Sequence, residues 1–217
     1  MISIAYTLTP LMQDDLSVID KLYRNILLTP VPLFVEQQLR WKARCDEIMG
    51  SLLLADRSVS LAAITHVLLH PTRHPTVQEK HVLAYNNALD IIRSDWTGST
   101  KLLTPSHIGA IALIAEPSNH KQVMRALTAS EQAMTKALAY IGSQEDHPII
   151  LAGVLYGMLM DTPIGVLSNG LVPRLAFRMI LTKYGYDCRA MLTLTPAWSE
   201  HSESHKKARQ TIITALS

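Results

Sequence analysis

The sequence predicts an all-α fold, and three observations carry that expectation. Thr9-Pro10, Thr104-Pro105 and Thr195-Pro196 each set a hydroxyl directly before a proline. A threonine oxygen accepts from the free amides of a first helical turn, and proline suits the position after it, where no amide is needed. Apolar residues then recur at the helical period, and no stretch shows sustained period-two alternation bounded by turns. About eight to ten helices of ordinary length fit such a chain.

The elements follow in order. Leu16, Ile19, Leu22, Tyr23 and Ile26 form one apolar stripe, and Glu36 to Leu54 reads as a helix with Leu39, Cys45 and Ile48 inward. Ala84, Ala88, Leu89 and Ile92 form another stripe. Thr128-Ala-Ser-Glu131 has capping-box spacing and predicts a helix start. Ile149 to Met160 is an unbroken apolar run of twelve residues between Pro148 and Asp161. A membrane span needs ~20 such residues, so this run predicts a buried central helix. Breaks fall at Thr29–Pro32, His70–Pro75, Asp95–Thr100 and Ser143–Pro148, none of them a long linker. One domain is expected, with residues 1–100 as an N-terminal helical extension and residues 101–217 as its core.

Composition narrows the function classes. The 217 residues are 48% hydrophobic and only 18% charged, with a formal net charge of +2. Apolar surface on that scale offsets ordering entropy, and so small a charge offers no footprint for nucleic acid or an anionic membrane. Cys45 and Cys188 lie too far apart in sequence for a metal or redox motif. The start lacks a basic leader region, which predicts a cytoplasmic chain.

Chemistry concentrates in Asp161-Thr-Pro-Ile-Gly-Val-Leu-Ser-Asn-Gly-Leu-Val-Pro-Arg174. A loop carrying Ser168, Asn169 and Gly170 into a helix start presents backbone amides and a positive dipole end, and Arg174 adds a permanently charged fork suited to phosphate. The alternative is an ordinary Asn-Gly turn before a capped helix.

These residues resemble the motif of the Fic (filamentation induced by cAMP) family, His-Pro-Phe-x-Asp/Glu-Gly-Asn-Gly-Arg-x-x-Arg. Thr162-Pro163-Ile164 is similar to its start and Ser168-Asn169-Gly170-Leu171-Val-Pro-Arg174 to its end, with one extra residue between. Upstream, Ser51-Leu-Leu-Leu-Ala55-Asp56 resembles the family's inhibitory-helix segment, and Val82 to Leu89 its Val-x-Asn-Tyr-x-x-Ala-Leu stretch. Downstream, Leu181 to Asp187 and Trp198 to Ala208 resemble the closing helices. The resemblance implies a Fic-like helical core over nearly the whole chain.

It also implies a degenerate site. Thr162, or Asp161 under a shifted register, stands where the family has its general-base histidine. A threonine hydroxyl is no base near neutral pH, whereas imidazole with a pKa of ~6.5 is one. Val166 or Leu167 replaces the acidic magnesium ligand, and Leu171 replaces the first motif arginine. Ala55 replaces the inhibitory glutamate, with Asp56 beside it, and Ala115 to Leu127 is short for the substrate-docking hairpin. The expectation is a Fic-fold protein without adenylyl transfer, binding a phosphate-bearing ligand such as ATP at Ser168, Asn169, Gly170 and Arg174, or a protein partner. Its alternatives are an active adenylyltransferase using Asp161, and a plain helical interaction module, a possible homodimer.

Other candidates are weaker. His66, His70 and His74 recur at spacing four, as do His201 and His205, but two imidazoles do not make a zinc site and a helix face is expected for both. Cys45 and Trp41 are expected in packing, Trp96 exposed, and Lys206-Lys207-Arg209 on a solvated helix.

Overall fold

Nine α-helices and no strand follow one another among the described residues, which in this computed structural model are 8–117, 120–143 and 146–195. They are α1 (Pro10–Leu28), α2 (Leu33–Leu54), α3 (Leu61–Leu69), α4 (Val77–Trp96), α5 (Pro105–Ala115), α6 (His120–Ser143), α7 (Pro148–Met160), α8 (Pro163–Leu167) and α9 (Leu171–Lys183), followed by a short 3-10 turn at Cys188–Ala190. The expected Trp198–Ala208 helix, the His201/His205 pair and the Lys206–Arg209 run lie outside the described residues, as does Pro196.

Local chemistry sets the ends of these helices. Thr9 Oγ1 accepts from Met12 N with Pro10 in the first turn, as the Thr-Pro pattern predicts. Thr76 and Glu79 form a reciprocal capping box at the start of α4. At α5 the third residue is His107, whose Nδ1 accepts from the Thr104 amide. His147 Nδ1 accepts from Ile149 N at the start of α7.

The core forms around α9, which packs on α2, α4, α5, α7 and α8. The α7 run, apolar all round, is buried from Leu151 to Leu159 against it. Each such leucine or valine contributes about 1.5–3 kcal/mol on burial. One apolar cluster joins Ile48 and Leu52 of α2 with Tyr85 and Ile92 of α4 and Leu171, Leu175 and Met179 of α9. A second joins α5, α6 and α7 to the other face of α9 through Val172, Ala176 and Ile180. No helix among the described residues is long and apolar enough to cross a membrane.

Five local expectations are corrected, and the first is Trp41, which stands exposed on α2 where packing is expected. Thr128 starts no helix: α6 runs through it, and its Oγ1 donates back to Met124 O, a bond available mid-helix. Leu39 is exposed, because the first half of α2 extends beyond the core that Cys45 and Ile48 enter. Trp96 is buried, its ring edge-on to His107 at 5.0 Å. The α1 stripe is not core, since no residue of α1 is buried. Instead α1 is tied down by polar groups. Tyr186 Oη donates to Asp20 Oδ1 at 2.5 Å, His147 Nε2 faces the same oxygen at 3.1 Å, and Arg189 Nη2 donates to Leu27 O at 2.6 Å. The Tyr23 and Tyr186 rings stack at 4.7 Å.

Candidate functional site

The motif segment folds as the end of α7, the single turn of α8, and the start of α9. Asp161 is the exposed C-cap residue of α7. Thr162 is buried, and its hydroxyl donates to Leu159 O at 2.6 Å and accepts from Gly165 N at 3.3 Å. That oxygen caps α8 and joins it to α7.

The following loop turns on two left-handed residues, Asn169 (φ 46°) and Gly170 (φ 73°). Glycine is required at the second: a Cβ there would sit 2.9 Å from Arg174 Nη1 and 3.0 Å from Met160 Sδ. Ser168 is buried, donates from its hydroxyl to Ile164 O at 2.8 Å, and accepts from Val172 N at 3.2 Å. The amides of Ser168, Asn169, Gly170 and Leu171 bond to Ile164, Val166, Gly165 and Ser168 carbonyls. The loop amides that would serve an anion are paired within the turn itself.

Arg174 is buried one turn into α9. Its Nη2 donates to the Ser51 carbonyl of α2 at 2.9 Å and its Nη1 to the Asn169 carbonyl at 3.3 Å, while Nε has no partner among the described residues. Burial pushes the guanidinium pKa down, opposed by Tyr85, Tyr156 and Glu47. Asn169 Nδ2 reaches Ala55 O at 3.4 Å and Asp56 Oδ2 at 3.3 Å. The structure therefore brings Ser51, Ala55, Asp56, Asn169, Gly170 and Arg174 together, with the end of α2 laid across the start of α9. Thr162 and Asp161 stand at the far end of α8.

Val166 and Leu167 are exposed and Leu171 is fully buried in the core, so none presents an oxygen or a charge. These side chains do not fit a magnesium ion, which takes oxygen ligands. Among the described residues no group of three or more His, Cys, Asp or Glu side chains is placed to hold a metal.

Two polar clusters beside this site went unnoticed in the sequence. Glu47 is buried on α2. Its Oε2 accepts from Leu194 N at 3.0 Å, Arg178 Nη2 at 3.2 Å and Thr193 Oγ1 at 3.3 Å, and its Oε1 lies 3.4 Å from Tyr85 Oη. Burial, with the Glu47 charge beside it, pushes the Tyr85 phenol well above its ordinary range. Arg57 pairs with both oxygens of Glu116 at 2.7 and 2.8 Å, and its Nη1 lies 3.3 Å from His81 Nδ1. Burial, with Arg57 adding to it, lowers the His81 pKa. A sequence signal existed for the first cluster: Glu47 and Ser51 share an inward helix face, as do Arg174 and Arg178.

The fold is that of the Fic-like helical proteins. The chain superposes on a Fic family protein from Desulfovibrio desulfuricans G20 with a TM-score of 0.67, over 97% of this chain and 68% of that one. Identity is 14%, so the likeness is one of fold. No family model matches the sequence, and no curated protein matches it.

Proposed function

We propose that this Fic-like fold is a binding protein that transfers no adenylyl group and associates with a second copy of itself. One observation carries the first half: Arg174, the motif arginine a phosphate would need, is buried and donates one bond from each terminal nitrogen to the Ser51 and Asn169 carbonyls. The loop amides are paired internally. No base occupies the Thr162 position: its hydroxyl, donating to Leu159 O and accepting from Gly165 N, does not take up a proton near neutral pH.

The partner follows from α1. Leu11, Val18 and Leu22 are all more than half exposed, on a helix that covers no core of its own. An apolar stripe on an amphipathic helix marks an interface. Asp14 precedes Val18 by four residues and Lys21 follows it by three. Antiparallel pairing of two α1 helices about Val18 sets each Asp14 against the other copy's Lys21, as an isologous interface requires.

Titration calorimetry with ATP, with and without Mg²⁺, tests the first half, alongside labelled ATP in a lysate. The expected result is no saturable heat at about 1 mM ATP and no label on protein. ATP binding lost in Arg174→Ala or in the exposed-site variant Asn169→Ala, or any transferred label, overturns it.

A further inference from the structure

One turn beyond Arg174 on α9, Arg178 faces a cavity of about 260 Å³ that contains none of the motif-loop residues. It is bounded by the first half of α2, the second half of α4, α9 and the segment after Tyr186, and four of its lining residues are arginines: Arg40, Arg44, Arg93 and Arg178. So many guanidinium groups around one cavity ask where their hydrogen bonds and charges go.

Much of that demand is met inside the protein. Arg178 Nη2 donates to Leu192 O at 2.7 Å and pairs with Glu47. Arg44 pairs with Asp90 at 2.6 Å and donates from Nε to Asn86 Oδ1. Arg40 pairs with Glu36, which Arg189 also approaches. The remainder is specific. The Nε–H groups of Arg40 and Arg178 are both buried with no partner among the described residues. A buried N–H without an acceptor costs about 1–3 kcal/mol, but neither Nε opens to the cavity, and Arg174 outside it has the same orphaned Nε, so the outer nitrogens of these arginines are what a ligand would meet. Arg93 makes no ion pair among the described residues. The carboxyl facing it, Asp187, is pushed up by burial against the pull of Arg93 and Arg178.

The charge balance and the walls define the ligand. Among the lining residues Arg40, Arg44, Arg93 and Arg178 face three carboxylates, Glu47, Asp90 and Asp187, which leaves one positive charge and favours a monoanion over a phosphate dianion. Trp41, Leu89 and Leu192 supply an apolar wall. The volume lies just under the ~300 Å³ at which drug-sized ligands begin to fit. We infer that this cavity binds a small monocarboxylate with a flat apolar body, its oxygens taken by the guanidinium groups of Arg93, Arg40 and Arg178, its body against Trp41 and Leu89. Guanidinium groups grip carboxylates through paired, charge-assisted hydrogen bonds, which gives the site its preference for that head group.

The test is calorimetry on the full chain with three probes that share an aromatic body: indole-3-acetate, phenyl phosphate and tryptamine. Indole-3-acetate is expected to bind with a Kd below about 1 mM, at least tenfold more tightly than either other probe. Arg93→Ala, at a half-buried position whose side chain holds no partner in place, is expected to weaken it at least tenfold, with circular dichroism unchanged. Leu89→Trp, which fills the cavity without touching a charge, is expected to abolish binding. Absence of indole-3-acetate binding, equal binding of phenyl phosphate or tryptamine, or full binding by a folded Arg93→Ala or Leu89→Trp protein overturns the inference.

Discussion

Arg174 Nη2 of α9 donates to the main-chain carbonyl of Ser51 in α2, 2.9 Å away, across 123 positions of sequence. The bond ties the motif loop to the segment that resembles an inhibitory helix, through a backbone atom that Ala55 and Asp56 could not have removed. Its loss is predicted to be structural. Arg174→Ala strips two acceptors of a charged donor and opens space in a packed helix junction, at a cost of about 2–4 kcal/mol. Arg174→Lys, a point charge without the fork, is expected to recover less than half of it. Urea unfolding of the three proteins checks the order, and an unchanged midpoint for Arg174→Ala would remove the latch.

Gly170 is predicted to be far less tolerant than Gly98. Both are left-handed, at φ 73° and 62°. A Cβ at Gly98 meets nothing within 4 Å, whereas one at Gly170 presses on Arg174 Nη1 and Met160 Sδ. Gly98→Ala pays the conformational term alone, about 1–2 kcal/mol. Gly170→Ala adds displacement of the arginine and is expected to cost at least twice as much. Parallel thermal melts of the two variants decide this, and equal costs would show that the loop has room to give.

Most of the architecture was legible because its signals are local. Thr9-Pro10 and Thr104-Pro105 mark helix starts that the structure has, and the apolar run after Pro148 became the central α7. The misses share one cause, which is that periodicity reports a face without saying what covers it. Thr128-Ala-Ser-Glu131 has the spacing of a cap, yet His120–Ser143 is one helix because Val123, Leu127, Met134 and Leu138 keep a continuous inward face through it. Ile19, Leu22 and Ile26 have the spacing of a core stripe, yet none of them is buried. At the site, the gathering of Asn169, Gly170 and Arg174 with Ser51, Ala55 and Asp56 was legible only through the resemblance. The Glu47–Arg178 pair was not, because its partners lie 131 positions apart and neither belongs to a motif.

Acid is predicted to release α1 before the rest unfolds. The Tyr186 hydroxyl, then His147, hold the Asp20 carboxyl below its ordinary 3.8. A carboxyl whose folded pKa is depressed contributes stability that is fully present above the unfolded value and lost as pH falls through the folded one. The window therefore opens just under pH 3.8 and extends downward. Asp20 is only half-buried, so the effect is modest. Pepsin cleavage within residues 10–28 should rise over that window ahead of cleavage elsewhere, and Asp20→Asn should be cut as readily above it as below. Cleavage of Asp20→Asn that follows the native pH profile would place the hold on α1 elsewhere.

Val18 is predicted to sit at the centre of a two-fold contact. On α1 the half-buried residues Leu16, Asp20, Tyr23 and Leu27 turn toward the body, which leaves Leu11, Val18, Leu22 and Ile26 along the outer face. Such a stripe on a 19-residue helix is long enough to pair with its own copy, and the acid-before-base order around Val18 suits an antiparallel arrangement and opposes a parallel one. Light scattering after size exclusion should give twice the 24.1 kDa chain mass for the native protein. Val18→Asp puts two carboxylates face to face at the two-fold axis and should yield monomers with unchanged helicity, because Val18 is 52% exposed and belongs to neither core cluster. Asp14→Lys should weaken the dimer, and adding Lys21→Asp should restore it, since the pair is then reversed in both copies at once. A native protein that runs as a monomer at about 50 µM, well above the micromolar range of an ordinary specific dimer, would end the proposal.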